Sequence, residues 1–267
     1  GELLIKGESS KEIFLSTYIC HPSMGNNELS GPVLATALGK WLKSSPRKFS
    51  YRIIFIPETI GSIVYLSKNL KLLKEKVFAG FNISCVGDNR AYSFLPSRNG
   101  NTIADKAAKH AIKQKCKNFI EYTWLDRGSD ERQYCSPGVD LPVASIMRSK
   151  YGTFPEYHTS LDNLDLITED GFSGSFEVIS NAIMILEENL IPVSNFLCEP
   201  QLGKRNLYHK LTPREKPQTA TMMDLISFSD GKKSLLEIAE ETGQNFIELK
   251  KIYDILKNQN ILYSKRA

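Results

Sequence analysis

The sequence predicts an α/β domain with a mixed, largely parallel sheet covered by helices on both faces, followed by a small winged helix-turn-helix. Three observations carry this expectation. Over the first 190 residues, runs rich in β-branched and aromatic residues alternate with amphipathic helical runs, and such alternation calls for helices on both faces of one sheet. From 191 to 221 the chain holds four prolines and little periodicity, which reads as a tethered linker. Beyond it, two helical runs meet at Gly243 and give way to a short β-like tail, the outline of a winged helix. The expected division is therefore an α/β domain over 1–190, a linker over 191–221 and a winged helix-turn-helix over 222–267.

Strand-like runs lie at 3–6, 13–19, 51–56, 77–86 and 141–147, and helical runs at 32–43, 60–73, 102–114 and 171–189. EIFLSTYI fits a pleated, half-buried surface. The next run, CHPSMGNNELSG (20–31), breaks regular structure at Pro22 and Gly25 before PVLATALGKWL opens a helix. YRIIFI stops at Pro57 and releases Glu58 into the loop ahead of another helix. In the tail, SLLEIAEETG sets Leu and Ile at helical spacing with Gly243 as its C-cap, and NFIELKKIYDILKNQNIL repeats the pattern.

The 267 residues suffice for one sizeable domain with a small appendage, and 41% hydrophobic with 24% charged residues is ordinary globular composition. A formal charge of +4 is too mild to demand a nucleic-acid partner. In the tail, Glu237, Glu240, Glu241 and Glu248 stand among Lys250, Lys251 and Lys257, and the second helix lacks Arg. Such a surface attracts phosphate weakly, so the winged helix is expected to contact the α/β domain, a protein partner or a second subunit rather than read DNA. Five cysteines, at 20, 85, 116, 135 and 198, show no CxxC spacing, which suggests reduced thiols in a cytoplasmic protein. No run approaches the roughly 18 apolar residues of a membrane span, and the start lacks a signal peptide's order. The chain begins at Gly rather than Met, directly in a strand-like run, as a truncated or cleaved piece would.

Three runs carry candidate chemistry, each with two readings. His21, with Asn26, Asn27 and Glu28 behind it, lies past a strand end, where α/β sheets bind ligands; it reads as a metal site or as a turn whose Asn side chains bond their own backbone. Glu58 is a carboxylate at that same edge, or a charge favoured at a helix N-terminus. His158, in YGTFPEYHTSLDNLDLI, precedes Asp162 and Asp165, which would orient its imidazole or cap the helix beginning near Thr168. His110, in a Lys-rich helix, and His209, in the linker, are weaker candidates.

Taken together and in this order, NNELSGP after a histidine, PE with IGS behind it, and YHTSLDNLD resemble the zinc-dependent exopeptidases of the aminopeptidase family. The family's runs read H-x-D, N-D-D-x-S-G, E-E-x-G, N-x-D-M-x-G and H-T-x-x-D. The chain is most similar to bacterial aminopeptidase-like proteins with an inserted domain and a C-terminal winged helix, often encoded near polysaccharide biosynthesis functions. This resemblance implies a zinc-dependent hydrolase that cleaves an amide bond in a small peptide or aminoacyl substrate. It implies His21, Glu28 and His158 as metal ligands, Asn27 as a weaker one through its amide oxygen, and Glu58 as general base. Two imidazoles, one carboxylate and an open fourth position make a catalytic zinc set, with Glu58 taking the proton of the metal's water. It also implies a substrate pocket lined by Asp130 and Arg132 of RGSDERQY, a run that otherwise reads as solvated charge.

The chain departs from the family at three ligand positions, where Asn27, Thr59 and Ser84 replace acidic residues. One zinc ion is expected in preference to two, with Asp88 as a spare carboxylate. Two rival readings stay open: a degenerate, noncatalytic binding protein that keeps the pocket, and a regulator whose sensor is the α/β domain.

Overall fold

The computed structural model describes residues 1–205, 207 and 216–265, which form two compact units, Gly1–Glu187 and Glu188–Ala267. His209 lies outside the described residues. The first unit is built on one seven-stranded sheet: β1 (Glu2–Ile5), β2 (Glu12–Tyr18), β3 (Ser50–Ile56), β4 (Val77–Ile83), β5 (Ser93–Leu95), β6 (Ile120–Glu121) and β7 (Val143–Met147), in the order β1-β3-β2-β4-β7-β5-β6. The four central strands β3, β2, β4 and β7 run parallel, while β1 lies antiparallel on β3 and β5 antiparallel on β7. The accompanying helices are α1 (Ser30–Leu42), α2 (Ile60–Lys76), α3 (Ile103–Lys115), α4 (Glu131–Tyr134) and α5 (Glu169–Glu188).

All seven residues of β2 are buried, as expected of a central parallel strand covered on both faces. The pleat divides them. Thr17 faces α1, because a Cβ added at Gly31 would meet its Oγ1, and Tyr51, the register partner of Ile13, bonds Glu187 of α5. On the other face Phe14 packs edge-on against Tyr134 of α4 and shares a core with Leu66 and Leu73 of α2. Gly31 is needed where it stands: a Cβ there would lie 2.6 Å from the carbonyl oxygen of Ile83, so glycine lets α1 cross β4 closely.

The expected strands and helices of this unit all form, with shifted ends. β5, β6 and α4 were not foreseen; at three, two and four residues they are too short to show a period. In the second unit β8 (Ile191–Ser194), α6 (Lys216–Phe228), α7 (Leu235–Thr242), α8 (Phe246–Asn258) and β9 (Leu262–Lys265) follow in order. The expected linker over 191–221 is corrected here: it opens with β8, which pairs antiparallel with β9, and it ends inside α6. Pro192 disguised the strand, yet β8 has a single neighbour in its two-stranded sheet, an edge position that tolerates proline. α7 starts with a capping box between Ser234 and Glu237 and ends at Gly243 in the left-handed conformation, as expected. Among the described residues no helix is long and apolar enough to cross a membrane.

Candidate functional site

β2 and β3 are parallel neighbours in register from Glu12↔Ser50 to Tyr18↔Ile56, so the residues just past their ends share one edge of the sheet. The Ile19 N–H bonds the Ile56 carbonyl at 2.9 Å, and the Glu58 N–H meets Cys20 Sγ at 2.7 Å. His21 and Glu58 are thereby brought to the same place. His158 arrives from the turns after β7; its ring centroid lies 4.7 Å from that of His21, and the Tyr157 ring stacks on it at 4.0 Å. His158 holds φ +57°, an uncommon conformation for a non-glycine residue that is concentrated at functional sites.

Below the histidines lies a closed hydrogen-bond network. Glu28 Oε1 accepts from His21 Nδ1 and from Asn27 Nδ2, both at 2.8 Å, and Oε2 accepts from the Cys20 N–H at 2.7 Å. Asn27 Oδ1 accepts from the Tyr18 hydroxyl at 3.2 Å. Asn26, Asn27 and Glu28 are buried in a π-helical turn, Gly25–Leu29, so the reading of this stretch as a surface turn does not hold. Asp162 holds that turn in place by accepting the N–H groups of Asn26 and Asn27 at 2.6 and 2.9 Å. It was expected to orient His158 or cap α5; Thr168 fills the second role through a bond from the Gly171 N–H. Asp88 is no spare ligand, since its two oxygens take up Asn26 Nδ2, the Arg90 N–H and both the N–H and hydroxyl of Ser149.

The opposite wall is strained and acidic. Thr59 sits at φ 58°, ψ −67°, with the Ile60 N–H bonded to the Glu58 carbonyl at 2.6 Å, which is a γ-turn of the rare hand. Asp130 accepts the Thr59 N–H and the Ser62 hydroxyl, both at 2.8 Å, and Arg132 donates to the Thr59 hydroxyl at 2.6 Å. RGSDERQY is therefore not a solvated charge run throughout: Asp130 and Glu131 are fully buried, while Arg127 and Arg132 are exposed. Burial pushes the Asp130 carboxyl up to about 7, against the two bonds that favour its charge. Burial also raises the Glu58 carboxyl, with Arg132 opposing.

These residues can be tested against zinc by their free donors. His21 and His158 offer imidazole nitrogens, but the oxygens of Glu28, Asn27 and Asp88 already accept from protein donors, and Thr59 and Ser84 stand where carboxylates would be needed. Among the described residues no group of three or more His, Cys, Asp or Glu side chains is arranged to hold a metal ion. The residues present do not fit a two-zinc centre. Glu28, expected as a ligand, instead orients His21, and Asn27 donates through its nitrogen rather than coordinating through its oxygen.

Residues 1–189 match the family described as Domain of unknown function (DUF4910). The chain belongs to the DUF4910 family. Residues 190–264 match a winged helix-turn-helix, in agreement with the second unit. A Clostridium acetobutylicum relative, provisionally named a polysaccharide biosynthesis protein with an aminopeptidase-like domain, is 40% identical over 98% of this chain and 61% of its own length. A crystal structure from Clostridium acetobutylicum, provisionally named a peptidase, is 39% identical with a TM-score of 0.91 over 99% of this chain and 60% of that one. The DUF4910 chain thus spans about three fifths of the length of these relatives. A zinc aminopeptidase from Bacillus subtilis shares the fold at 17% identity, with a TM-score of 0.56 over 69% of this chain and 49% of that one. The α/β unit of this DUF4910 protein has an aminopeptidase-like fold.

Sequence reasoning missed Tyr18 as an organiser of the site and gave Glu131 and Asp162 other roles. Asp162 had a signal in the HTSLDNLD run, but its partners are backbone groups more than a hundred residues away.

Proposed function

We propose that the α/β unit binds a small amine-bearing ligand, such as an aminoacyl compound, in the cleft between His21, Glu58, His158 and Arg132, and that it does so without a two-zinc centre. The bond from Asn27 Nδ2 to Glu28 Oε1 carries this reading. An aspartate at 27 would repel Glu28 and need a cation to hold the pair; the amide neutralises the contact by itself. What remains available is a partly desolvated carboxylate, Glu58, which gains most from a charged hydrogen-bond donor. The Tyr157–His158 stack supplies an aromatic wall beside it. The name of the Clostridium acetobutylicum relative, which refers to polysaccharide biosynthesis and an aminopeptidase-like domain, is compatible with such a ligand.

A second reading, an aminopeptidase-type hydrolase with a single zinc ion, is favoured by one observation. With Nδ1–H donated to Glu28, His21 keeps the Nε2 lone pair beside His158, the orientation a carboxylate gives a metal-binding imidazole. In that case His158→Ala lowers metal content, while Glu58→Gln preserves it and removes hydrolysis. Metal analysis of protein purified without added zinc, with calorimetric titration of aminoacyl amides, separates the two. The binding reading expects well under one zinc per chain and amine binding that Glu58→Gln abolishes. Stoichiometric zinc together with amide hydrolysis would refute it. For the second unit we propose protein contact: Lys233, Lys250 and Lys251 already pair with Glu241, Asp254 and Glu248 of the same unit, leaving little charge for phosphate.

A further inference from the structure

α1 and α5 lie side by side and run in the same direction. At their starts Ser30 and Gly171 both close on Gly87: a Cβ added at Gly87 would meet Ser30 Cβ at 3.0 Å, and one added at Gly171 would meet the Gly87 carbonyl oxygen. Further along, Trp41 of α1 packs edge-on against Phe176 of α5 with ring centroids 6.0 Å apart, and Arg47 bridges the Trp41 carbonyl and Met184 Sδ. Leu34, Leu38 and Leu42 bury one side of α1, and Val178, Ala182 and Leu186 one side of α5.

The outer seam between these helices is apolar and uncovered. Leu29, just ahead of α1, and Val33 are each 44% exposed, Ala37 is exposed and Trp41 half-buried, and their spacing of four aligns them in one stripe. Phe172 and Phe176, again four apart, border the stripe from α5, and together with Val33 and Ala37 they line an open hollow of about 350 Å³. Such a patch rimmed by charge marks a contact surface. The charges are unevenly placed. Glu169, which also lines the hollow, and Asp170 stand at the start of α5, whereas Lys40, on the stripe three residues past Ala37, and Lys43 stand at the end of α1. All four are exposed, and none forms an ion pair among the described residues.

We infer that this seam is the contact surface for a second copy of the chain, related by a two-fold axis that crosses α1 near Ala37. An axis perpendicular to the helices turns the partner's α1 and α5 antiparallel to these. The acidic start of each seam then meets the basic end of the other, Glu169 and Asp170 against Lys40 and Lys43, and symmetry makes the match twice. The same turn sets helix N-termini beside partner C-termini, the favourable order for their dipoles. Val33 and Trp41, four residues to either side of Ala37, face each other across the axis, and the small side chain of Ala37 lets the helices approach. A partner running parallel would instead set acid against acid and base against base. The inference does not rest on what the cleft binds.

The test is sedimentation equilibrium of the full 267-residue chain over a range of concentrations. The expected result is a monomer–dimer equilibrium with a dissociation constant on the order of 10 μM, in keeping with a small interface. Val33→Glu changes an exposed side chain, so the thermal midpoint should stay put at a concentration where the chain is monomeric, while the dissociation constant rises at least about tenfold. Lys40→Glu and Glu169→Lys should each weaken self-association, because each sets like charges against its own copy. Mixing those two variants should give a heterodimer tighter than either homodimer, since both ends then pair opposite charges. Association through any other face, the winged helix included, would not show that recovery. A chain that stays monomeric up to about 0.5 mM, a dimer that Val33→Glu leaves unchanged, or a mixture that forms no heterodimer would overturn the inference.

Discussion

Glu28 and Glu131 are both buried carboxylates under the same sheet edge, yet one sits in a finished network and the other in an unfinished one. Around Glu28, the donors Cys20 N–H, His21 and Asn27 share the two carboxylate oxygens, and Asn27 is itself bonded to Tyr18. Around Glu131 and its neighbour Asp130, Asn82 Oδ1, Ser129 Oγ and Asp130 Oδ2 are buried polar atoms without partners. In the first arrangement an amide, Asn27, meets the carboxylate; in the second, buried oxygens next to the carboxylates are left without partners.

The largest effect that sharpens this contrast is a pH dependence on the unfinished side. Asp130, at about 7 when folded and near 3.8 otherwise, keeps a proton in the folded state that the unfolded chain has lost between those values. The contribution of Asp130 to folding stability should be full below about pH 4, fall as pH rises to about 7, and stay level above, a total of up to roughly 4 kcal/mol. Asp130→Asn keeps the acceptor for Thr59 and Ser62 and should flatten the slope in urea titrations across that range. An unchanged slope would mean that Asp130 is ionised and paired.

On the finished side, Glu28→Ala leaves three donors without their acceptor and should cost about 3 kcal/mol in chemical unfolding. A loss below about 1 kcal/mol would show that the network is not closed. Asn27→Asp puts like charges together and should cost about 2 kcal/mol in chelator, then regain stability when zinc is added; the unmodified protein should show no such response. If both respond equally to zinc, the amide has not replaced an ion, and the comparison breaks. Least in size, Thr59→Gly relieves the γ-turn and should raise stability by about 1 kcal/mol, read from the thermal midpoint.

Much of the architecture was legible in advance because it rests on local periodicity. β2, β3 and β4 are continuous apolar runs, α7 and α8 have paired caps and helical spacing, and their ends carry Gly243 and Asn245. His21, Glu58 and His158 were also marked, because strand-end residues in a parallel sheet must share an edge. β8 was hidden because its partner, β9, lies some seventy residues further along, and pairing of that range leaves no trace in a local window.

By itself the sequence determined the strand and helix order, the edge where the histidines meet, and the loss of acidic residues at 27, 59 and 84. Only the tertiary structure decided what those losses mean. Whether Glu28 is a free ligand or a filled acceptor depends on the direction of Asn27's amide and on Cys20 and His21 around it. Whether Asp130 and Glu131 are solvated charge or buried acids depends on Tyr151, Asn82 and Thr59, which are distant in the chain. Charge and hydrogen-bond capacity belong to residue types, but their saturation is a property of neighbours in space.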